Sequence, residues 1–139
     1  MKSARYDLTL HIVLAFFICV CTGCFTVKNS AGFTYEKLEM TAYNALLADS
    51  TDHTLIDVRT RGEYKRSHLE GAMNRSYFAF NYRKAFSAVD RNKLVFVYCQ
   101  TCHRSPLAAR KLKRMGFRRV VDLKGGYQHW HKEMVPLGK

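Results

Sequence analysis

The stretch Leu94–Ser105 reads LVFVYCQTCHRS. Its first five residues are aliphatic or aromatic without interruption, the pattern of a short strand buried on both faces. Cys99–Arg104 is too polar to continue that strand. Ser105 is placed to cap a helix over Pro106–Met115, with proline in its first turn and Gly116 at its end. In an open parallel sheet, ligands gather where strands end and helices begin. The loop between them turns peptide N–H groups and a helix N-terminus toward one point, a cradle for negative charge. A thiolate at Cys99 would be stabilised there by the helix dipole and by Arg104, which marks Cys99 as the candidate nucleophile.

Working outward, the chain alternates strands and helices. Phe33–Met40 reads as a strand, and Thr41 as the cap of a helix through Leu47 that Asp49–Asp52 ends. Thr54–Val58 is a second buried strand, followed by a helical turn at Arg61–Arg66. Gly71–Asn74 leads into Ser76–Phe80, and Asn81–Val89 is expected to be helical. Val120–Leu123 is a further strand, and Gly125-Gly126 opens a short helix carrying Tyr127 and Trp130. This order implies an α/β fold with a mostly parallel sheet covered on both faces. The aromatic group Tyr77, Phe78, Phe80, Tyr82 and Phe86 is explained mainly by core packing, with a pocket wall as the other reading.

With 139 residues, 47% of them hydrophobic and 13% aromatic, the chain suits one globular domain and not a disordered one. Lys and Arg outnumber Asp and Glu by 23 to 11, a formal +12 that suits an anionic partner. The densest basic group is Arg104, Arg110, Lys111, Lys113, Arg114, Arg118 and Arg119. Neither zinc-finger spacing nor an aromatic RNA-binding motif accompanies it. A solvated basic face and a small anionic partner are therefore expected, and nucleic acid is not.

The N-terminal residues read as a segment apart. Lys2 and Arg5 precede the apolar run Ile12–Cys21, the layout of an export signal. Cys21-Thr22-Gly23-Cys24 resembles the lipobox of bacterial lipoproteins, with Cys21 where leucine is usual. The reading is a signal peptide at 1–23, lipid on Cys24, a linker at 24–32 and the domain at 33–139. The domain would then sit in the bacterial periplasm or cell envelope, membrane-attached through Cys24. Leu8–Val27 carries no charge over 20 residues, so an uncleaved anchor is the alternative, with plain secretion a third. Of the five cysteines, Cys19, Cys21 and Cys24 belong to this segment. Cys99 and Cys102 are too near each other to staple a fold, so their role should be chemical.

Three motifs in order carry a family resemblance. Leu55-Ile56-Asp57-Val58-Arg59, then Glu63-Tyr64, then His68–Asn74 (HLEGAMN) resembles the "IDVR…EY…GHIxGAxN" signature of rhodanese domains. Tyr98–Ser105 is similar to their "YCxxGxRS" loop, and Leu123-Lys124-Gly125-Gly126 with Trp130 to their "LxGGxxxW" close. The resemblance implies a central sheet of about five strands and sulfur transfer without a cofactor or metal, carried out by a monomer. Cys99 would take sulfane sulfur from thiosulfate or a similar anion as a persulfide, then yield it to a thiol or cyanide. Gln100, Thr101, Cys102, His103, Arg104 and Ser105 would bind the persulfide and donor, with Arg104 also ordering the loop. Asp57 and Arg59 are read either as an ion-pair network or, for Arg59, as donor binding. Glu63 and His68 are expected to be structural. Cys99 and Arg104 enclose four residues where related phosphatases enclose five, a smaller cradle suited to sulfur.

Cys102 departs from the family, standing where glycine is usual. It creates a Cys99–Cys102 pair, so a thiol–disulfide redox or sensor protein is the alternative function, with Cys102 closing on Cys99 or resolving its persulfide. The bland reading is a small hydrophobe turned into the protein. With His103 the stretch also has the CxxCH pattern of haem attachment, but no second ligand pair supports haem or metal.

Overall fold

The computed structural model describes residues 27–30 and 32–134. The expected signal segment, with Cys19, Cys21 and the lipidation candidate Cys24, lies outside the described residues.

The elements are β1 (Val27–Ser30), β2 (Phe33–Leu38), α1 (Met40–Asp49), β3 (His53–Asp57), α2 (Arg61–Arg66), β4 (Met73–Asn74), α3 (Tyr82–Ala85), β5 (Leu94–Tyr98), α4 (Arg104–Arg114), β6 (Arg119–Leu123) and α5 (Gly126–Met134). They build one six-stranded sheet in the order β1-β2-β6-β5-β3-β4. Five strands run parallel and β1 pairs antiparallel with β2 at the edge. The α/β reading holds, with β1 added inside the stretch expected to be linker.

Strand parity divides the core into two layers. Val95, Val97 and Cys99 face α3 and α4 with Ile56, Val58, Phe86, Ala108, Leu112 and Phe117. Leu94, Phe96 and Tyr98 face the other way, with Tyr43 of α1, Leu69, Val121, Leu123 and Tyr127 of α5. All five residues of β5 are buried, which accounts for its unbroken apolar run. The central strand thus delivers Cys99 at its carboxyl end, between neighbours β3 and β6.

Three local expectations need correction. α1 starts at Met40 after Glu39, and no side chain caps it, so Thr41 is not the cap. The helix expected over Asn81–Val89 is only Tyr82–Ala85. Beyond it Phe86, Ser87 and Val89 donate to Arg83, Lys84 and Phe86, so three-residue turns replace the α pattern. Those turns carry Phe86 into the core, 4.8 Å from the Tyr82 ring and 5.9 Å from that of Phe117. Finally, α4 starts at Arg104, so Ser105 lies within the helix and His103 occupies the cap position.

Candidate functional site

Cys99 is wholly buried, and its Sγ lies 3.3 Å from Oγ of Ser105. That contact explains why Ser105 is inside α4: it turns its hydroxyl inward to the sulfur. His103, at the cap position, makes no side-chain bond to the helix and instead meets Thr101 Oγ1 through Nδ1 at 3.1 Å. An uncapped helix start leaves its first N–H groups without partners. Among the described residues, no acceptor takes the N–H groups of Gln100, Thr101, Cys102, His103 or Arg104. Five donors therefore stand free in the loop that starts at Cys99. Thr101 is half-buried, while Cys102 and His103 are exposed, and both cysteines are free thiols.

The loop is held from three sides. From α2, Glu63 receives both terminal nitrogens of Arg104, at 2.7 and 2.6 Å. The same carboxylate accepts the Thr60 N–H and hydroxyl, and Thr60 Oγ1 accepts the Glu63 N–H, so a capping box and the loop share one residue. These donors, Arg104 first, draw the Glu63 carboxyl down to about 2. A carboxylate held below its ordinary value of about 4.3 stabilises the fold above that value and loses the contribution as pH falls toward 2. Glu63→Gln is accordingly expected to flatten the loss of thermal stability over that window, as read by melting temperature against pH.

From the segment just after β3 comes Arg59, and here donor binding gives way to the ion-pair reading. Arg59 is 2% exposed, and its guanidinium grips both oxygens of buried Asp57, the carbonyl of Ser67 and Oε1 of Gln100. It also lies 3.9 Å from the centre of the Tyr127 ring. Arg59 is a strut under the loop, and Asp57 is the counter-charge that makes its burial tolerable. His68 is exposed, its Nδ1 donating to the Tyr64 carbonyl at 3.0 Å and its ring stacked 3.9 Å from that of Tyr64, so it serves the α2 corner.

The third support comes from the start of α5. Tyr127 and Gln128 donate their N–H groups to the carbonyls of Cys99 and Gln100, at 2.7 and 2.9 Å. Gly126 stands with φ +65°, and a Cβ there would come within 2.5 Å of the Cys99 carbonyl oxygen and closer still to that of Thr101. Only glycine fits this approach. The sequence shows the Gly125-Gly126 pair, but not that it lies under the loop.

Asp122 is a further buried residue, one that the sequence motifs do not single out. It is fully buried on β6 and takes a 2.6 Å hydrogen bond from Tyr35. Burial pushes its carboxyl up, while Ser105, Tyr35 and Lys37 pull it back. Its signal in the sequence is a lone Asp in the apolar run VVDL.

Comparison with known proteins meets this geometry. A family model described as a rhodanese-like domain matches residues 39–133. The chain belongs to the rhodanese-like domain family. Among relatives of this rhodanese-like chain, YqhL of Bacillus subtilis, an uncharacterized protein, is 37% identical over 76 residues, covering 55% of this chain and 59% of YqhL. A protein of Allochromatium vinosum named sulfurtransferase is 27% identical over 102 residues, covering 73% of this chain and 94% of its own. The chain spans only 24% of an adenylyltransferase and sulfurtransferase of Meyerozyma guilliermondii, at 29% identity over 71% of this chain. In structure, a rhodanese-like fold is shared with the rhodanese-related protein of Thermoplasma volcanium, with TM-score 0.60 and 24% identity over 72% of this chain and 94% of that one. The Alr3790 protein of Anabaena gives 0.62 and 26%, over 70% and 76%.

Proposed function

We propose that this rhodanese-like chain is a sulfurtransferase that carries sulfane sulfur on Cys99. The observation that supports it most directly is the row of unengaged N–H groups from Gln100 to Arg104 beside an enclosed thiol and an uncapped helix start. Such donors stabilise a negative charge that develops between them, as in an oxyanion hole. With thiosulfate, the Cys99 thiolate attacks the outer sulfur. A bond forms from Sγ to that sulfur, the bond to the sulfonate sulfur breaks, and sulfite leaves with the electron pair. The persulfide keeps one negative charge, held by the loop N–H groups and by the Ser105 hydroxyl. A thiolate or cyanide then attacks the outer sulfur, and Cys99 departs as thiolate.

Arg104 contributes by position. Its bidentate bond to Glu63 fixes the start of α4, and with it the loop that would hold the donor. The donor approaches past Cys102 and His103, the exposed residues of the loop. The name borne by the Allochromatium relative agrees with this reading. We also infer export to the cell envelope from Lys2, Arg5, the run Ile12–Cys21 and the Cys24 motif, with Cys24 as the lipid attachment point.

The test is the mass of the peptide containing Cys99 after the full chain is reduced, freed of reductant and given thiosulfate. Gain of one sulfur on Cys99 is the expected result. Loss of two hydrogens across Cys99 and Cys102 would overturn it in favour of the thiol–disulfide reading.

A further inference from the structure

At the β4 edge of the sheet, Arg61, Arg75 and Lys84 line a groove of about 470 Å³ together with Ala79, Ala85 and Ala88. No Asp or Glu lines it. Lys37, Arg59, Lys93, Arg104 and Lys124 each pair with a carboxylate elsewhere in the domain. Among the described residues, Arg61 and Lys84 have no such partner. Arg75 gives one terminal nitrogen to the carbonyl of its neighbour Asn74, at 3.0 Å, and its Nε is buried without any acceptor. A buried N–H left unpaired is costly, and three cations around one groove repel each other. A ligand with more than one negative charge would relieve that repulsion.

The groove borders the same sheet that delivers Cys99. β4 is two strands from β5, and two interstrand spacings amount to about 10 Å. Asn74, which also lines the groove, donates its side-chain amide to the carbonyls of Asp57 and Arg59 at 3.1 and 3.0 Å. Arg61 follows Thr60, whose capping box holds the Glu63 that grips Arg104. Cys99 loop and groove thus share one set of supports.

We infer that the groove seats the anionic end of the sulfur acceptor, a small thiol bearing phosphate groups about 10 Å or more from its sulfur. This rests on Cys99 acting as the persulfide carrier. The acceptor thiolate attacks the outer sulfur, the bond to Cys99 Sγ breaks, Cys99 leaves as thiolate, and the acceptor departs as its persulfide. Guanidinium groups suit phosphate because they present paired N–H donors in one plane. The alanines line the groove with apolar surface on which a thiol arm can lie.

The probe is coenzyme A, compared with pantetheine, which has the same thiol arm without the phosphates. The full chain is loaded with sulfur, and its loss from Cys99 is followed against acceptor concentration. Coenzyme A is expected to half-saturate at roughly a tenth of the pantetheine concentration or less, equivalent to one good charge-assisted contact. In the double variant Arg61→Gln with Lys84→Gln, and in Arg75→Gln, that ratio should fall toward one. The double variant changes exposed side chains only, so it remains informative if Arg75→Gln does not fold. Equal half-saturation by the two thiols, or a gap that survives the double variant, would overturn the proposal. If thiosulfate leaves no sulfur on Cys99, the carrier reading fails before any acceptor is added. The groove is then judged by melting temperature alone: a rise with coenzyme A that the double variant loses supports it, and no rise rejects it.

Discussion

Cys99→Ser is expected to gain no sulfur from thiosulfate and to transfer sulfur at a rate on the order of a thousandfold or more below the native chain. A hydroxyl at this position is a far weaker nucleophile, and the persulfide has no oxygen counterpart that could carry sulfur onward. The fold should be nearly unaffected, since Ser preserves the side-chain shape and can still meet the Ser105 hydroxyl, now 3.3 Å from the sulfur. The paired measurements are sulfite release and melting temperature. Sulfite release near the native rate, at an unchanged melting temperature, would remove Cys99 from the chemistry.

Gly126→Ala should be nearly as damaging by a different route. The residue has φ +65°, which costs an L side chain about 1–2 kcal/mol. Its Cβ would also press on the carbonyls of Cys99 and Thr101, both in the chain that forms the cradle. Relief requires α5 or the loop to move, and either breaks the bonds from Tyr127 and Gln128 to Cys99 and Gln100. A fall in melting temperature of roughly 10 °C is expected, together with at least tenfold slower sulfur uptake on Cys99. Gly125→Ala would press first on the His129 side chain, 2.7 Å from its Cβ, so it places strain and a clash within α5 and not on the loop carbonyls. Unaltered uptake by Gly126→Ala would show that the loop does not need its seat on α5.

The contrast between Arg59 and Arg104 shows what the sequence could convey. Both follow short apolar strands or their loops, so residue type and local position do not separate them. Their roles diverge because of partners far along the chain: Gln100 is 41 residues from Arg59, and Glu63 is 41 from Arg104. Ser105 was legible as a helix-start residue from its type, but its hydroxyl is turned to Cys99 rather than to the helix. Tyr35 and Asp122, 87 residues apart, meet only because β2 and β6 are adjacent in the sheet. The groove beside β4 was equally hidden, since Arg61, Arg75 and Lys84 come from three different elements or loops.

By itself, the sequence determined the α/β class, the buried central strand, the strand–loop–helix around Cys99 and the glycine pair before α5. Each of these is written in local patterns: an unbroken apolar run, a polar interruption, a proline and glycine marking helix ends. Only the tertiary structure decided that Arg59 braces the loop, that Ser105 faces the thiol and that Gly126 is the loop's seat. Those assignments depend on which strands are neighbours and how closely their ends pack, and local periodicity carries no information about either.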